Sequence, residues 1–151
     1  MSQPVGMGLI RLSWAGTLLL AILSVLGVVA IDTFAPIVVW CSVGLFVAGC
    51  VLFFIAYAIA VGRSRTDAIG IGGLYFLAGS APSQVRRSLV GSFVLQCAIA
   101  VAVIIVAPFT SLVMTSMAPI FGLGCSGVWG ARYGEFEPRD PSAGDTAGTD
   151  S

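Results

Sequence analysis

Long stretches of this sequence contain no charged residue. Residues 12–31 form one such run of about 20 residues, which as an α-helix is about 30 Å long and matches the hydrocarbon core of a bilayer. Residues 33–62 form a second run, and residues 88–131 form a third that is roughly twice the length of one crossing. Hydrophobic residues make up 58% of the chain and charged residues 9%. This pattern excludes a water-soluble domain and predicts an all-α integral membrane protein.

Prolines divide these runs into four predicted transmembrane helices. Pro36 suits the first turn of the second helix, and Pro108 divides the third run into two crossings. Pro119 lies inside the fourth helix, so we expect a bend there, with the hydroxyls of Thr115 and Ser116 close enough to satisfy the freed backbone group. The predicted spans are residues 12–31, 36–62, 89–107 and 112–130 of a transmembrane domain that covers residues 1–131.

The basic residues predict the orientation of the helices. All seven are Arg, and four spans place every one of them at the same end of the bundle, whereas the opposite end receives Asp32 and the uncharged turn at Pro108. Because positive charge in short loops favours the cytoplasmic side, we predict that both termini are cytoplasmic and that the protein lies in the cell (plasma) membrane. The rival interpretation of residues 12–31 is a signal peptide cleaved near Ala30, although the apolar stretch exceeds the roughly 7 to 15 residues of a signal core.

The segment 68–82, between the second and third spans, is apolar but too short to cross comfortably. A crossing would also move Arg86 and Arg87 to the far side. We therefore predict a cytoplasmic segment that is either an interfacial helix, which we favour, or a re-entrant piece tucked among the spans. Arg63, Arg65, Arg86 and Arg87 flank it and are candidate contacts for anionic lipids. The simpler alternative is that these arginines only anchor the topology.

Glycines near the end of the fourth span spell a familiar pattern. Gly122, Gly124 and Gly127 form G-x-G-x-x-G, which is typical of dinucleotide-binding loops. That pattern requires a strand before it and a helix after it, whereas here it lies inside an apolar span, so we interpret it as a helix-packing feature. Small residues recur every four positions and form one ridge on which another helix can lie, either within the bundle or between two copies. The ridge consists of Ala118, Gly122, Ser126 and Gly130.

Chemical groups typical of enzymes and carriers are scarce. The chain has no His, and its four cysteines form no C-x-x-C pair, so the sequence predicts no catalytic, metal or cofactor site. No Asp, Glu, Lys or Arg falls inside a span, which removes the carboxylate that proton-coupled exporters use. Gln96 is the most polar side chain at depth. An amide there can bridge two helices by hydrogen bonds, and the alternative is a role in permeation.

The C-terminal residues 132–151 differ in composition from the rest of the chain. They are rich in Pro, Gly, Ser, Thr and Asp and contain few apolar residues. Such a segment cannot bury enough apolar surface to fold alone, so we predict a disordered, acidic cytoplasmic tail.

Two strings carry a family resemblance. GRSRTDAIGIGGLYFLAGSAPSQVRRSL and FGLGCSGVWGARYGEF resemble small multi-span membrane proteins of unknown function from high-GC, actinobacterial-type bacteria. The resemblance covers roughly residues 62–136 and carries over no catalytic or ligand residue. The absence of Lys and Asn independently fits a GC-rich coding bias.

These features favour a multi-pass membrane protein that is a non-enzymatic accessory or interaction subunit. Its expected partners are the lipid bilayer, including anionic lipids, and either another membrane protein or a second copy of the chain. A net charge of zero gives no basic field for nucleic acid. The alternative function is a small homo-oligomeric transporter or channel.

Overall fold

The computed structural model describes residues 6–138, which fold as an all-α bundle. Within this range, four helical segments are long and apolar enough to cross a membrane. The chain therefore has the architecture of a multi-pass membrane protein, and the predicted all-α class with four spanning helices is confirmed. The helices are α1 (Met7–Val29), α2 (Ile31–Arg63), α3 (Ile71–Tyr75), α4 (Ser83–Val106) and α5 (Ile120–Tyr133), and a 3-10 helix (Ser111–Met117) precedes α5.

Three crossings are single long helices that begin before the predicted spans, and α1 and α4 end at Val29 and Val106, slightly before the predicted ends. Because α2 begins at Ile31, Pro36 lies inside this helix and not in its first turn, where it was predicted. α1 begins before Arg11, and α4 begins before Arg86 and Arg87, because a helix continues as long as its backbone hydrogen bonds do, whereas the spans mark only the uncharged part. α2 has 33 residues and is about 50 Å long. It is longer than a hydrocarbon core of about 30 Å, so it must tilt or protrude.

The fourth crossing is not one continuous helix. The 3-10 helix is followed by Pro119, which occupies the N-cap of α5, so this proline lies at the start of a helix and not inside one, where it was predicted. Pro119 has no N–H to donate to the Thr115 carbonyl, which instead accepts a hydrogen bond from the Ala118 amide at 3.1 Å. The Thr115 hydroxyl donates instead to the Leu112 carbonyl at 2.8 Å. The freed carbonyl is thus satisfied by the backbone and not by a neighbouring hydroxyl.

α5 lies at the centre of the bundle and contacts α1, α2, α3 and α4. A helix surrounded in this way can be approached closely only where its side chains are small. Its glycines meet that condition on different sides: Gly122 lies against α4, Gly124 against α2, and Gly127 and Gly130 against the end of α3. The G-x-G-x-x-G pattern therefore lies at packing contacts of a central helix.

The segment 68–82 contains α3 and packs on the C-terminal part of α5. Leu74, Tyr75 and Leu77 are all buried. Leu77 has a φ of 53°, a left-handed conformation that is uncommon for a residue with a side chain. Its side chain joins an apolar cluster with residues of α4 and α5, and this burial offsets the backbone cost.

The residues after α5 fold back against this segment. The Glu135 amide donates to the Ser80 carbonyl at 2.9 Å, and the Ala68 amide donates to the Glu137 carbonyl at 2.9 Å. The first part of the predicted tail, residues 132–138, thus belongs to the folded bundle. The predicted disorder of residues 139–151 lies outside the described residues.

Candidate functional site

Polar side chains of α1 and α4 meet inside the bundle. Gln96 is 1% exposed, and Ser13, Thr17 and Ser92 are similarly buried. The Ser13 and Ser92 hydroxyls bind each other, and the Thr17 hydroxyl donates to the Ser13 carbonyl at 3.0 Å. Gln96 Nε2 donates to Thr17 Oγ1 at 2.8 Å. These four residues, which we call the polar cluster, join α1 to α4 and pair their hydroxyl and amide groups with one another.

Gln96 also caps the start of α5. The first N–H groups of a helix have no partner within that helix, and α5 begins among buried residues. Gln96 Oε1 accepts a hydrogen bond from the Gly122 amide at 3.2 Å. A side chain at position 122 would bring its Cβ to 2.9 Å from this oxygen, so glycine allows the close approach. One glutamine therefore connects three helices.

The partners of Gln96 on α1 were not recognised from the sequence. The signal that could have identified them is a stripe of small and hydroxyl-bearing residues at spacings of three or four within the first span. Such a stripe marks the face of a membrane helix that packs on its neighbours. Its buried members are Ser13, Gly16, Thr17, Ser24 and Gly27, and Leu20 is buried on the same face.

The side chains of the polar cluster hold helices together by hydrogen bonds. Amides and hydroxyls carry no charge at neutral pH, and here they bind one another. Among the described residues, the buried hydroxyls of Ser24 on α1 and Ser42 on α2 have no hydrogen-bond partner. Each is a single uncharged hydroxyl on a different helix, and neither is hydrogen-bonded to a base that would activate it.

The arginine-rich end of the bundle carries a second polar region, the loop platform, which we define as residues 63–82 and 131–138. Arg63 lies at its centre. Its Nη1 donates to the Ala131 carbonyl at 2.9 Å and its Nη2 to the Gly134 carbonyl at 3.3 Å. Its guanidinium also forms an ion pair with Asp67 at 3.0 Å and lies 5.5 Å from the Phe136 ring centroid. Arg63 thus satisfies the carbonyls that α5 leaves free at its end.

Aromatic packing fixes α3 to α2 within the same region. The rings of Phe53 and Tyr75 are stacked, with centroids 4.4 Å apart and planes 11° from parallel. The Tyr75 hydroxyl donates to the Phe53 carbonyl at 3.2 Å. Burial raises the pKa of the Tyr75 phenol, so it remains a protonated donor at neutral pH.

The four candidate lipid-binding arginines occupy three different environments. Arg63 is engaged inside the loop platform. Arg65 is exposed in the turn after α2. Arg86 and Arg87 are exposed in the first two turns of α4, beside a groove of about 620 Å³. Only this pair combines neighbouring positive charges with a concave surface.

The predicted packing ridge lies inside the bundle. Gly122 lies against Gln96 and the Phe93 backbone, and Gly130 lies against the Leu74 backbone. Ala118 and Ser126 are also buried. Helices of the same chain therefore cover this ridge where its glycines lie.

Cysteine and acidic residues form no cluster in the part of the chain that the structure describes. Cys41, Cys50, Cys97 and Cys125 are free thiols there. No group of three or more His, Cys, Asp or Glu residues within 6–138 could hold a metal ion.

The chain matches no protein-family model, no curated protein and no solved structure. The two features that bear on function are the buried polar cluster and the loop platform with its adjacent groove.

Proposed function

We propose that this chain is a non-enzymatic accessory or interaction subunit of a bacterial cell membrane, with both termini cytoplasmic, and that it binds a partner membrane protein through the loop platform. The observation that carries the proposal is the contrast between its two polar regions. The polar cluster is buried and pairs its own groups, whereas the loop platform is held by backbone and arginine hydrogen bonds and exposes charged side chains.

The polar cluster supports a packing role. Gln96 uses its amide nitrogen for α1 and its amide oxygen for α5. A glutamine that served a permeating solute would have to give up these contacts, and α5 would lose its cap. The intramembrane polar groups are thus explained by the stability of the bundle.

The loop platform supports an interaction role. It exposes Arg65, Arg132, Glu135 and Glu137 on a folded backbone, so it presents charges of both signs in a fixed arrangement. A surface that only anchored the chain on an anionic leaflet would need positive charge alone. Fixed charges of both signs favour recognition of a complementary protein surface.

The test is affinity purification of the tagged full-length chain from its native membrane in mild detergent, followed by mass spectrometry. We expect a reproducible membrane-protein partner that is lost from the Arg65→Gln/Arg132→Gln variant. The Arg86→Gln/Arg87→Gln variant removes the same charge outside the platform and should retain the partner. Recovery of the bait alone, or of the same partner with both variants, would contradict the proposal.

The alternative of a small homo-oligomeric transporter or channel makes a different prediction for the purified protein. An accessory subunit reconstituted alone into proteoliposomes should give no ion or solute flux above that of empty vesicles. Flux that depends on this chain, and that Gln96→Leu abolishes without loss of folded protein, would favour the transporter or channel instead.

A further inference from the structure

A groove of about 620 Å³ runs along the outward face of α4 from its first turn. Its floor is formed by α4 residues at spacings of three or four, which lie on one face of a helix. Gly79 and Ala81 of the loop platform form its wall at the arginine end of the bundle. Val85 and Leu89 lie on the opposite face of α4 and are buried in the bundle. The groove is therefore on the side of α4 that faces away from the rest of the chain.

The groove changes from charged to apolar along its length. The end of the groove at the arginine end of the bundle, which we call its upper end, is lined by Arg86 and Arg87. The part that lies further along α4 is lined by Val90, Gly91 and Val94. Val94 is seven residues beyond Arg87, which places it about 10 Å further along the helix axis. A groove with this polarity matches a molecule that has an anionic head and an apolar chain.

Within residues 6–138, the ion pair is that of Arg63 with Asp67, and the guanidinium groups of Arg86 and Arg87 form none. The first turn of α4 contains no acidic residue, and no side chain caps its N-terminus. Arg86 and Arg87 add positive charge where the helix dipole is already positive, so an anion bound there would be stabilised by both. Arg63 differs from this pair because Asp67 and the carbonyls of Ala131 and Gly134 occupy its guanidinium.

We propose that this groove binds one anionic phospholipid of the leaflet at the arginine end of the bundle. The phosphate lies on Arg86 and Arg87, and the upper part of one acyl chain lies along Val90, Gly91 and Val94. Charge complementarity selects the anionic head, and the apolar floor selects a lipid over a soluble phosphate. The site is separate from the loop-platform arginines, so it does not depend on the accessory role proposed above.

Gly91 provides a way to fill the groove without disturbing the fold. A Cβ added at Gly91 meets no atom within 4 Å, so a leucine there enters open space on the groove floor. A Cβ added at Gly44 on α2 also meets no atom within 4 Å, and Gly44 lies outside the groove, so Gly44→Leu is the matched control. Arg65→Gln/Arg132→Gln is the matched control for Arg86→Gln/Arg87→Gln, because each pair removes two positive charges from the same end of the bundle.

The experiment titrates the purified full-length protein, in neutral detergent, with phosphatidylglycerol or phosphatidylcholine and counts bound lipids by native mass spectrometry. We expect the wild type to retain one phosphatidylglycerol in preference to phosphatidylcholine. Arg86→Gln/Arg87→Gln should reduce that preference by about tenfold, and the control pair should change it by less than about twofold. Gly91→Leu should abolish retention of the lipid, whereas Gly44→Leu should not.

Three results would overturn the site. If both double-arginine variants lost the phosphatidylglycerol preference equally, the lipid would be attracted to the arginine end as a whole and not to the groove. If Gly91→Leu retained phosphatidylglycerol, the lipid would lie outside the groove. Competition by millimolar glycerol phosphate would show that the ligand is a soluble phosphate. The thermal unfolding of every variant is measured in parallel. Gly91→Leu and Arg86→Gln/Arg87→Gln test the groove independently, so if one of them fails to fold, the other still tests the site.

Discussion

Gln96 Oε1 lies 3.2 Å from the Gly122 amide nitrogen and accepts its hydrogen bond, so a side chain of α4 caps the N-terminus of α5. A buried N–H group without a partner costs about 1–3 kcal/mol, so a helix that begins inside a membrane protein depends on such a partner. This contact allows α5 to begin at Ile120, directly after its N-cap Pro119, with only 14 residues, while the 3-10 helix completes the crossing.

Replacing Gln96 by Leu should destabilise the bundle by about 1–2 kcal/mol, because it leaves the Gly122 amide and the Thr17 hydroxyl without this partner. The measurement is the free energy of unfolding in detergent. Gln84→Leu, at an exposed position of the same helix, is the control and should have little effect. Equal losses for the two variants would contradict the structural role of Gln96.

Two glycine-to-alanine substitutions should have opposite effects on stability. A methyl group at Gly130 would collide with the Leu74 carbonyl oxygen, so Gly130→Ala should lower the unfolding free energy by about 1 kcal/mol or more. Gly44 has no neighbour within 4 Å, so Gly44→Ala should raise it by up to about 1 kcal/mol through the better helix propensity of alanine. Thermal unfolding of both proteins in the same detergent gives the sign directly, and a stabilising Gly130→Ala would show that α3 does not pack there.

Arg63 should contribute more to the free energy of unfolding than its ion-pair partner Asp67 does. Arg63→Gln removes the donors to the Ala131 and Gly134 carbonyls as well as the ion pair, and we expect a loss of about 1–2 kcal/mol. Asp67→Asn removes only a partly exposed ion pair and should cost less than about 0.5 kcal/mol. Hydrogen exchange should also speed up at the amides of residues 131–138 in Arg63→Gln alone. Similar exchange in both variants would assign the effect to the ion pair.

The orientation can be tested with single cysteines in a variant whose four native cysteines are replaced by alanine or serine. Phe109 is fully exposed in the turn between α4 and the 3-10 helix, and Thr66 is exposed at the arginine end. A membrane-impermeant maleimide added to intact cells should label Phe109→Cys, whereas Thr66→Cys should react only after the membrane is permeabilised. The reverse pattern would place the arginine end outside.

The sequence predicted the helical class and the four crossings because both depend on local composition. Charged residues cannot be buried in hydrocarbon without cost, so uncharged runs mark the spans even when the helices extend further, as α1 extends past Arg11. The helix irregularity at Pro119 was predicted at the right residue, but Pro119 lies at the start of α5 and not inside a continuous helix. Proline both bends helices and begins them, and the tertiary cap from Gln96 favours the second outcome here.

Features that depend on contacts between distant residues could not be predicted in the same way. Gln96 was identified as a residue that bridges helices, but its partners Thr17 and Gly122 lie 79 and 26 residues away. Arg63 looked equivalent to Arg86 in the sequence, since both flank the same loop. Only the fold places the Ala131 carbonyl beside Arg63 and the groove beside Arg86.

The central claim is that the intramembrane polar groups hold the helices together. A double-mutant cycle with Gln96→Leu and Thr17→Val tests it most directly, because the two side chains share a hydrogen bond of 2.8 Å between α4 and α1. Unfolding free energies of the wild type, both single variants and the double variant should give a favourable coupling of about 0.6–1.7 kcal/mol. A coupling indistinguishable from zero, with all four proteins folded, would contradict the account.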